Sequence, residues 1–570
     1  MTRFFPLLLA AAASLTAPAL ADKIYVNAGL TTGANDGTSW ADAYQGPGGL
    51  DLALASREFL DEIWVTRGRY RPGVDIRNGR FTFLIEGRAV ILGGFVGVES
   101  SAGERLSPEF ARTILDGDLA GDDLTPGGSR DDNARHVVSL VGASGLIDRV
   151  TVERGFAGGG VLCGGAVEDA GATPSFTEFK DCTFRDNEAQ LAGGAVASLS
   201  LGSSCRFLGC LFENNRVGSF GGGLYLQTTG DTVVERCEFR TNSAGAGGGM
   251  CVSFSSIATV GHTVFVDNES RAAFGGGAVF LYLDGSMGLR SSTLVGNRAL
   301  AAAEGGISTL PGFLEVSNSI LWGNAGAGGG MAAANQLSVR TGVSYSHVQG
   351  WSFGGVGNSS ADPMLANPLG GDFEPLSGSP VIDAAGAVPL ADRSVGDFLG
   401  KRRRVDDPQT PDMGAGPGAV MDIGAVERSV GAIGTMTCIG GLNASGQHGA
   451  IDAFGSKRVN DNSVVLVASQ LPTHQFGIFL VARNVGPVLS PNGILLCLPF
   501  GISRFVGPGQ VLSSGANGQF SLALDLTAIP SGSGFASVRP GQSWSFQGWH
   551  RDPAGINSSN FTDATTVAFE

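Results

Sequence analysis

Charge is scarce in this chain. Only 16% of its 570 residues are Asp, Glu, Lys or Arg, too few for a disordered acidic segment or a coiled coil. Positive charge is scarcer still: 37 Lys and Arg stand against 52 Asp and Glu, for a net charge of −15. A nucleic-acid binder shows a basic face. The one basic run, Lys401-Arg402-Arg403-Arg404, reads as a solvated loop, so nucleic acid is not an expected partner. The six histidines form no cluster with metal-ligand spacing, which removes a zinc site. No nucleophile elbow or phosphate loop occurs. Beyond the N-terminus no run of 18 or more apolar residues is found, so no membrane span is expected.

Glycine is abundant instead, with 90 residues gathered in twos and threes and not at every third position as in collagen. Glycine clusters among short apolar runs point to a turn-rich all-β protein. The first 21 residues read as a signal peptide. Arg3 supplies the positive end, Phe4 to Leu15 the apolar stretch, and Ala19-Leu20-Ala21 the cleavage site. The expected mature chain starts at Asp22 and is secreted or held at the cell surface.

A repeat dominates the middle. Phe184-Arg185-Asp186-Asn187 is followed by Phe212 to Asn215, Phe239 to Asn242 and Phe265 to Asn268, then by weaker copies ending at Asn297 and Asn324. Successive Asn are 28, 27, 26, 29 and 27 residues apart. A second motif keeps step: Gly164-Gly165-Ala166-Val167, Gly193-Gly194-Ala195-Val196, Gly222-Gly223, Gly248-Gly249, Gly276-Gly277-Ala278-Val279 and Gly305-Gly306. A period near 27 without helical patterning predicts a right-handed parallel β-helix whose coils stack about 4.8 Å apart. Phe184, Phe212, Phe239 and Phe265 then stack in the core. Asn187, Asn215, Asn242, Asn268, Asn297 and Asn324 form a ladder in which each amide bonds the next. Both series read as structural, not catalytic. Cys182, Cys210 and Cys237, each two residues before a motif Phe, and Cys251, in the slot of Val196 and Val279, read as core thiols.

The flanks divide the chain further. Residues 22–155 read as an N-terminal cap and first coils, 156–330 as the regular coils, and 331–430 as last coils and a C-terminal cap segment. Residues 431–570 carry six or more short strands with turn signals between them, the pattern of a small β-sandwich. Its two cysteines, Cys438 and Cys497, can form a disulfide in an exported protein, worth about 4 kcal/mol in the chain-entropy model.

The Gly-Gly-Ala-Val and F-x-x-N pairs resemble the polymorphic outer-membrane-protein repeats, which are surface adhesin-type β-helices. Ile24-Tyr25-Val26, Thr38-Ser39-Trp40, Asp362-Pro363, Ser379-Pro380-Val381-Ile382-Asp383 and Asp422-Ile423-Gly424-Ala425 resemble the choice-of-anchor Q group of bacterial β-helix proteins. The last domain is similar to modules at the ends of other exported bacterial proteins. These resemblances imply a non-catalytic adhesion or carbohydrate-binding protein whose partners are extracellular polysaccharide or cell-surface components.

A β-helix polysaccharide lyase or glycoside hydrolase is the competing expectation. It requires a groove lined by two or more carboxylates with a Lys or Arg. Polygalacturonases carry a Gly-His-Gly, but here Gly261-His262 is followed by Thr263; Asp181, Asp186 and Glu213 show no regular placement, and no catalytic residue is assigned. No cofactor is expected, with one candidate exception. Asp116, Asp118, Asp122 and Asp123, with Asp131 and Asp132 nearby, make an oxygen-rich loop of the kind that holds Ca²⁺; a solvated loop is the alternative.

Overall fold

The computed structural model describes residues 22–570 except 76–80, 107–109, 126–127, 157–160, 164–175, 200–201, 203, 228–229, 339–341, 387–395, 404–409, 416–420, 429–430, 487, 490–494, 533 and 554–558. The expected signal peptide and the Gly164 to Val167 copy lie outside the described residues.

Three parallel sheets wrap one elongated core. Among the described residues a long sheet has 16 strands, a second ten and a short third five. Each regular coil contributes to all three. In one coil Val196–Ser198 and Ser204–Leu208 belong to the long sheet, Leu211–Glu213 to the second and Arg216–Val217 to the third. The alternation of strand side chains sends Phe184, Phe212, Phe239, Phe265, Leu294 and Leu321 inward at the same register position. Rings of successive coils are nearly parallel, with centroids 4.9, 4.4 and 4.7 Å apart from Phe184 through Phe265.

Two corners of every coil use left-handed backbone. Arg149, Asp181, Arg236, His262, Ser291, Asn318 and Tyr345 have φ between 44° and 57° where the long sheet turns into the second. Asp186, Asn214, Thr241 and Asp267, then Gly296 and Gly323, take φ of 51–69° just before each ladder Asn. Such backbone costs a non-glycine residue about 1–2 kcal/mol, so the bonds at each corner have to hold it. At the second corner the ladder does so. Asn242 donates from N and Nδ2 to Asn268 Oδ1 (3.0 and 3.0 Å) and from Nδ2 to Phe212 O (2.8 Å). Its own Oδ1 accepts from Asn215 N and Nδ2 (3.0 and 2.9 Å). The pattern repeats from Asn187 to Asn324, all fully buried.

The ladder does not stop at Asn324. The helical turn Ala333–Gln336 brings Gln336 under it, and Asn324 Nδ2 donates to Gln336 Oε1 (2.8 Å). At the other end Gly155 N donates to Asn187 Oδ1 (2.9 Å). An open coil end is an exposed sheet edge. Helix Gly49–Ser56, with Leu50, Ala53 and Leu54 in the core, closes the first coil, and Leu337 and Trp351 close the last.

Cys182, Cys210 and Cys237 are free and buried, each bonding carbonyls at the first corner. Cys251 is a correction to the core slot. Its register partners are Tyr225 and Phe280, whereas Val196 aligns with Leu224 and, through it, with Met250. The Gly pairs at 222–223 and 248–249 therefore sit one position later than the pair at 193–194. A one-residue slip moves a strand side chain to the opposite face, and Cys251 points outward.

The described parts of residues 359–428 lie over the outer face of the second sheet as a strap. Val381, Ala384, Met421 and Ile423 cover Ile320 and Trp322; Phe373, Ala425 and Val426 cover Val264 and Val266. Gly424 N donates to Asn318 O (2.8 Å), Ala425 N to Thr293 Oγ1 (3.0 Å), and Arg240 Nη1 to Leu369 O (3.0 Å). The strap is tied to itself by buried carboxylates that accept backbone N–H groups. Asp422 takes Asp383 N and Arg428 N (2.8 and 2.7 Å), Asp397 takes Lys401 N and Glu427 N (2.7 and 2.9 Å), and Glu427 takes Asp422 N (3.0 Å). The Asp383 and Asp422-to-Glu427 motifs are the fastening of this strap.

Beyond the strap two antiparallel sheets pack face to face. Ala450–Phe454, Val465–Ser469 and Phe520–Ala523 form one, and the longer one includes Phe476–Ala482, Ser543–Arg551 and Ser559–Ala568. Leu466, Phe479, Phe520, Phe546 and Val567 share their core. Cys438 and Cys497 are disulfide-bonded, with Cα atoms 5.8 Å apart. Arg402 of the strap meets Asp563 (2.9 Å), and Gly541 lies against Leu106 and Phe110 beside the first coils.

Candidate functional site

With core and ladder pointing inward, any ligand meets outward residues, and three groups of these stand out.

The first is on the second sheet and runs from its first coils to the edge of the strap at Arg240. Asp116, Glu153, Arg185, Glu213 and Arg240 succeed one another at one outward register position. Arg154 clamps Asp116 through Nε and Nη2 (2.9 and 2.6 Å) and reaches Asp118 through Nη1 (2.9 Å). Arg69 bridges Asp116 and Glu153 (2.8 and 2.6 Å), and Arg185 holds the other oxygen of Glu153 (2.8 Å). Burial pushes the Glu153 carboxyl up, but Arg185 and Arg69 outweigh it and hold it below the usual range. A general acid for glycoside cleavage needs the opposite shift. The cluster is a set of charges neutralising each other on a packed surface.

The second is the acidic loop. Asp118, Asp122 and Asp132 bring carboxylate oxygens within 4.8 Å of one another; Asp116 is turned to its arginines, and Asp123 accepts from Asn133 (2.9 Å). Asp118 Oδ1 already accepts Gly121 N and Asp122 N (2.6 and 3.1 Å), and Oδ2 accepts Asp123 N and Arg154 Nη1 (3.3 and 2.9 Å). Those four donors occupy the carboxylate's lone pairs. Asp122 and Asp132 are the less engaged carboxylates, and most of the six to eight oxygens that Ca²⁺ takes would have to come from carbonyls and water.

The third group is on the long sheet. Tyr225, Cys251 and Phe280 align outward on three consecutive coils, and Phe220 and Tyr282 lie over them. The rings are nearly parallel: Phe220 to Tyr282 is 5.7 Å at 16°, and Phe280 to Tyr282 is 5.4 Å at 20°. Phe274 adds a tilted ring 6.0 Å from Phe280. Ala192, Ala246 and Cys251 pack in the same cluster, with Phe280 and Cys251 fully buried beneath Phe220 and Tyr282. Tyr225 Oη donates to Gln227 Oε1 (3.0 Å) at the margin. The next register positions continue the surface, with Leu310 beside Tyr282 and Phe313 in the column of Ile257 and Ser286. Phe274, Ile257, Leu310 and Phe313 are 45, 47, 52 and 67% exposed. An exposed apolar surface of this kind is a candidate binding site. Sequence reasoning missed it. The signal was the aromatics flanking the glycine pairs, Phe220 and Tyr225 around 222–223 and Phe274, Phe280 and Tyr282 around 276–277, hidden by the one-residue slip.

The family described as a right handed beta helix region matches residues 131–294 and 167–342. The coils are those of a right-handed parallel β-helix. A solved structure titled pectate lyase Pel9A is similar over 72% of this chain and 98% of its own, at 11% identity and a TM-score of 0.37. No curated protein matches the sequence. Among the described residues no helix of this β-helix protein is long and apolar enough to cross a membrane.

Proposed function

We propose that this β-helix protein is exported and binds carbohydrate, without turning it over, on the outer face of its long sheet. The observation that carries the reading is the exposed apolar strip of Phe274, Ile257, Leu310 and Phe313 beside the ring stack of Phe220, Tyr282 and Phe280. Aromatic rings present a broad apolar face with polar groups at the margin, which suits the C–H face and hydroxyl rim of a sugar. Export rests on Arg3, the Phe4 to Leu15 stretch and Ala19-Leu20-Ala21. The resemblance of the repeat and flanking motifs to surface adhesins and choice-of-anchor proteins supports the same reading.

Retention of the purified mature protein in native gels containing soluble polysaccharides tests it. Binding without release of reducing or unsaturated sugar ends is expected; sustained release of either removes it. The second reading, a lyase or hydrolase, has the Asp116, Glu153, Arg69 and Arg185 cluster as its only support. It requires that Glu153→Gln abolish such release.

A further inference from the structure

We infer that the cleft beside the first strand is the seat of the chain's own α-ammonium group, created when the N-terminal segment is cut off before Asp22. This rests on the export reading above and is independent of carbohydrate binding. Sequence and structure meet at one atom. The Ala19-Leu20-Ala21 site puts the new N-terminus at Asp22. The first coil also begins there: Asp22 O accepts Glu62 N (3.0 Å), and Lys23–Asn27 then pairs with Glu62–Thr66. The nitrogen that cleavage would expose already faces a carboxylate, since Asp22 N donates to Asp61 Oδ1 (3.3 Å). Asp61 is itself held, its Oδ2 accepting Glu58 N (2.7 Å).

The cleft is short of positive charge. It has a volume of about 720 Å³, and Asp22, Asp36, Glu58 and Asp61 line it against the single basic side chain of Lys23. Lys23 is committed elsewhere: Nζ donates to Ser100 O (3.0 Å) and lies 4.2 Å from the centre of the Trp64 ring. The Thr38 hydroxyl and amide both donate to Asp36 (2.7 and 3.0 Å) and hold its carboxyl below the usual range, so it stays charged. An amide nitrogen at Asp22 brings one donor and no charge. An α-ammonium, which ordinarily titrates near about 8, brings three donors and a positive charge to the same place. A neighbouring opposite charge favours the ionised form, so this group should titrate above its ordinary range. The ion pair then ties the first strand to the turn that carries Glu58 and Asp61, at the coil that has a stacking neighbour on one side only. Cleavage completes the first coil, and the uncut chain lacks this fastening.

The experiment starts from the full 570-residue chain expressed in an exporting bacterial host, with the first residue of the exported protein read by mass spectrometry. Asp22 is expected. That protein is compared with a form carrying one extra glycine before Asp22, each with and without Asp61→Asn. Asparagine keeps an oxygen for Glu58 N, so the variant removes the charge and leaves the turn its acceptor. The α-amine of each form is titrated through its rate of carbamylation by cyanate, from about pH 6 to 10. In the form that starts at Asp22 the midpoint should lie about half a unit or more above the ordinary range of about 7.7–8.0. Asp61→Asn or the added glycine should return it to that range. Hydrogen exchange of Lys23–Asn27 should be several-fold slower in the form that starts at Asp22 than in the other three at neutral pH. Once the ammonium is deprotonated, that difference should vanish. An ordinary midpoint, or an Asp61→Asn effect of equal size with and without the glycine, overturns the inference. Export with a different first residue also overturns it and leaves the export reading standing. Retention inside the cell with residues 1–21 intact overturns both.

Discussion

Replacing Asn242 by alanine is the sharpest test of how the coils are held. The side chain takes part in four hydrogen bonds: two donated by Nδ2, to Phe212 O and Asn268 Oδ1, and two accepted by Oδ1, from Asn215 N and Nδ2. Truncation leaves the Asn215 backbone N–H, one proton of its amide and the Phe212 carbonyl facing a dry cavity. An orphaned buried group costs about 1–3 kcal/mol, so two to three of them put the loss at about 3–6 kcal/mol. Thr241→Ala, one residue earlier at an exposed hydroxyl bonded only to Arg240 O, should cost under about 0.5 kcal/mol. Urea unfolding followed by far-UV circular dichroism compares the two variants at equal slope. A long solenoid need not unfold in one step, so the comparison is of transition midpoints for the same spectral change. A midpoint for Asn242→Ala as mild as that for Thr241→Ala would refute the ladder as the clamp on the left-handed corner.

Other outcomes follow from the same structure. Arg154→Met strips Asp116 and Asp118 of their shared guanidinium and should cost about 3–5 kcal/mol, read as a lowered melting temperature. Reduction of the Cys438–Cys497 bond, which closes 59 residues, should remove about 4 kcal/mol from the sandwich alone, so dithiothreitol should shift only its calorimetric transition. Burial pushes the Asp422 carboxyl up to about 6 and Asp563 to about 7, backbone N–H groups and Arg402 offsetting part of it. With folded values above the unfolded 3.8, the folded state binds the extra protons. These two groups therefore lower stability as pH rises from about 4 to 7 and restore it on acidification. Melting temperatures between pH 8 and 5 should show this rise, and Asp563→Asn should flatten it; an unchanged slope would remove Asp563 as its source.

The parts legible in the sequence are those that repeat. Phe212, Phe239 and Phe265 recur at the coil period because each must sit on the one below, and Asn215, Asn242 and Asn268 because each needs the next amide. Gln336 continues the ladder unannounced, since it arrives from a helical turn only 12 residues after Asn324. Asp383 and Asp422 stood out as motifs, yet nothing local says that they fasten a strap on a distant sheet. Arg69, Asp116 and Glu153 meet only through a register across irregular coils whose lengths follow no period. The aromatic cluster was obscured for a different reason: glycine pairs look alike one residue out of step, and that step decides whether Cys251 and Phe280 pack in the central core or on the outer side of the sheet.

The strap also sets how the molecule bears load. Its described parts touch several coils of the second sheet, and the sandwich beyond it rests against Leu106 and Phe110. Because Thr293, Asn318 and Arg240 lie on three different coils, a pull on the strap would load bonds on each of them and not on the end coil alone. The coils bearing Tyr282 and Phe313 lie toward the opposite end from that domain, so a protein held by its sandwich would extend its aromatic surface away from the point of attachment.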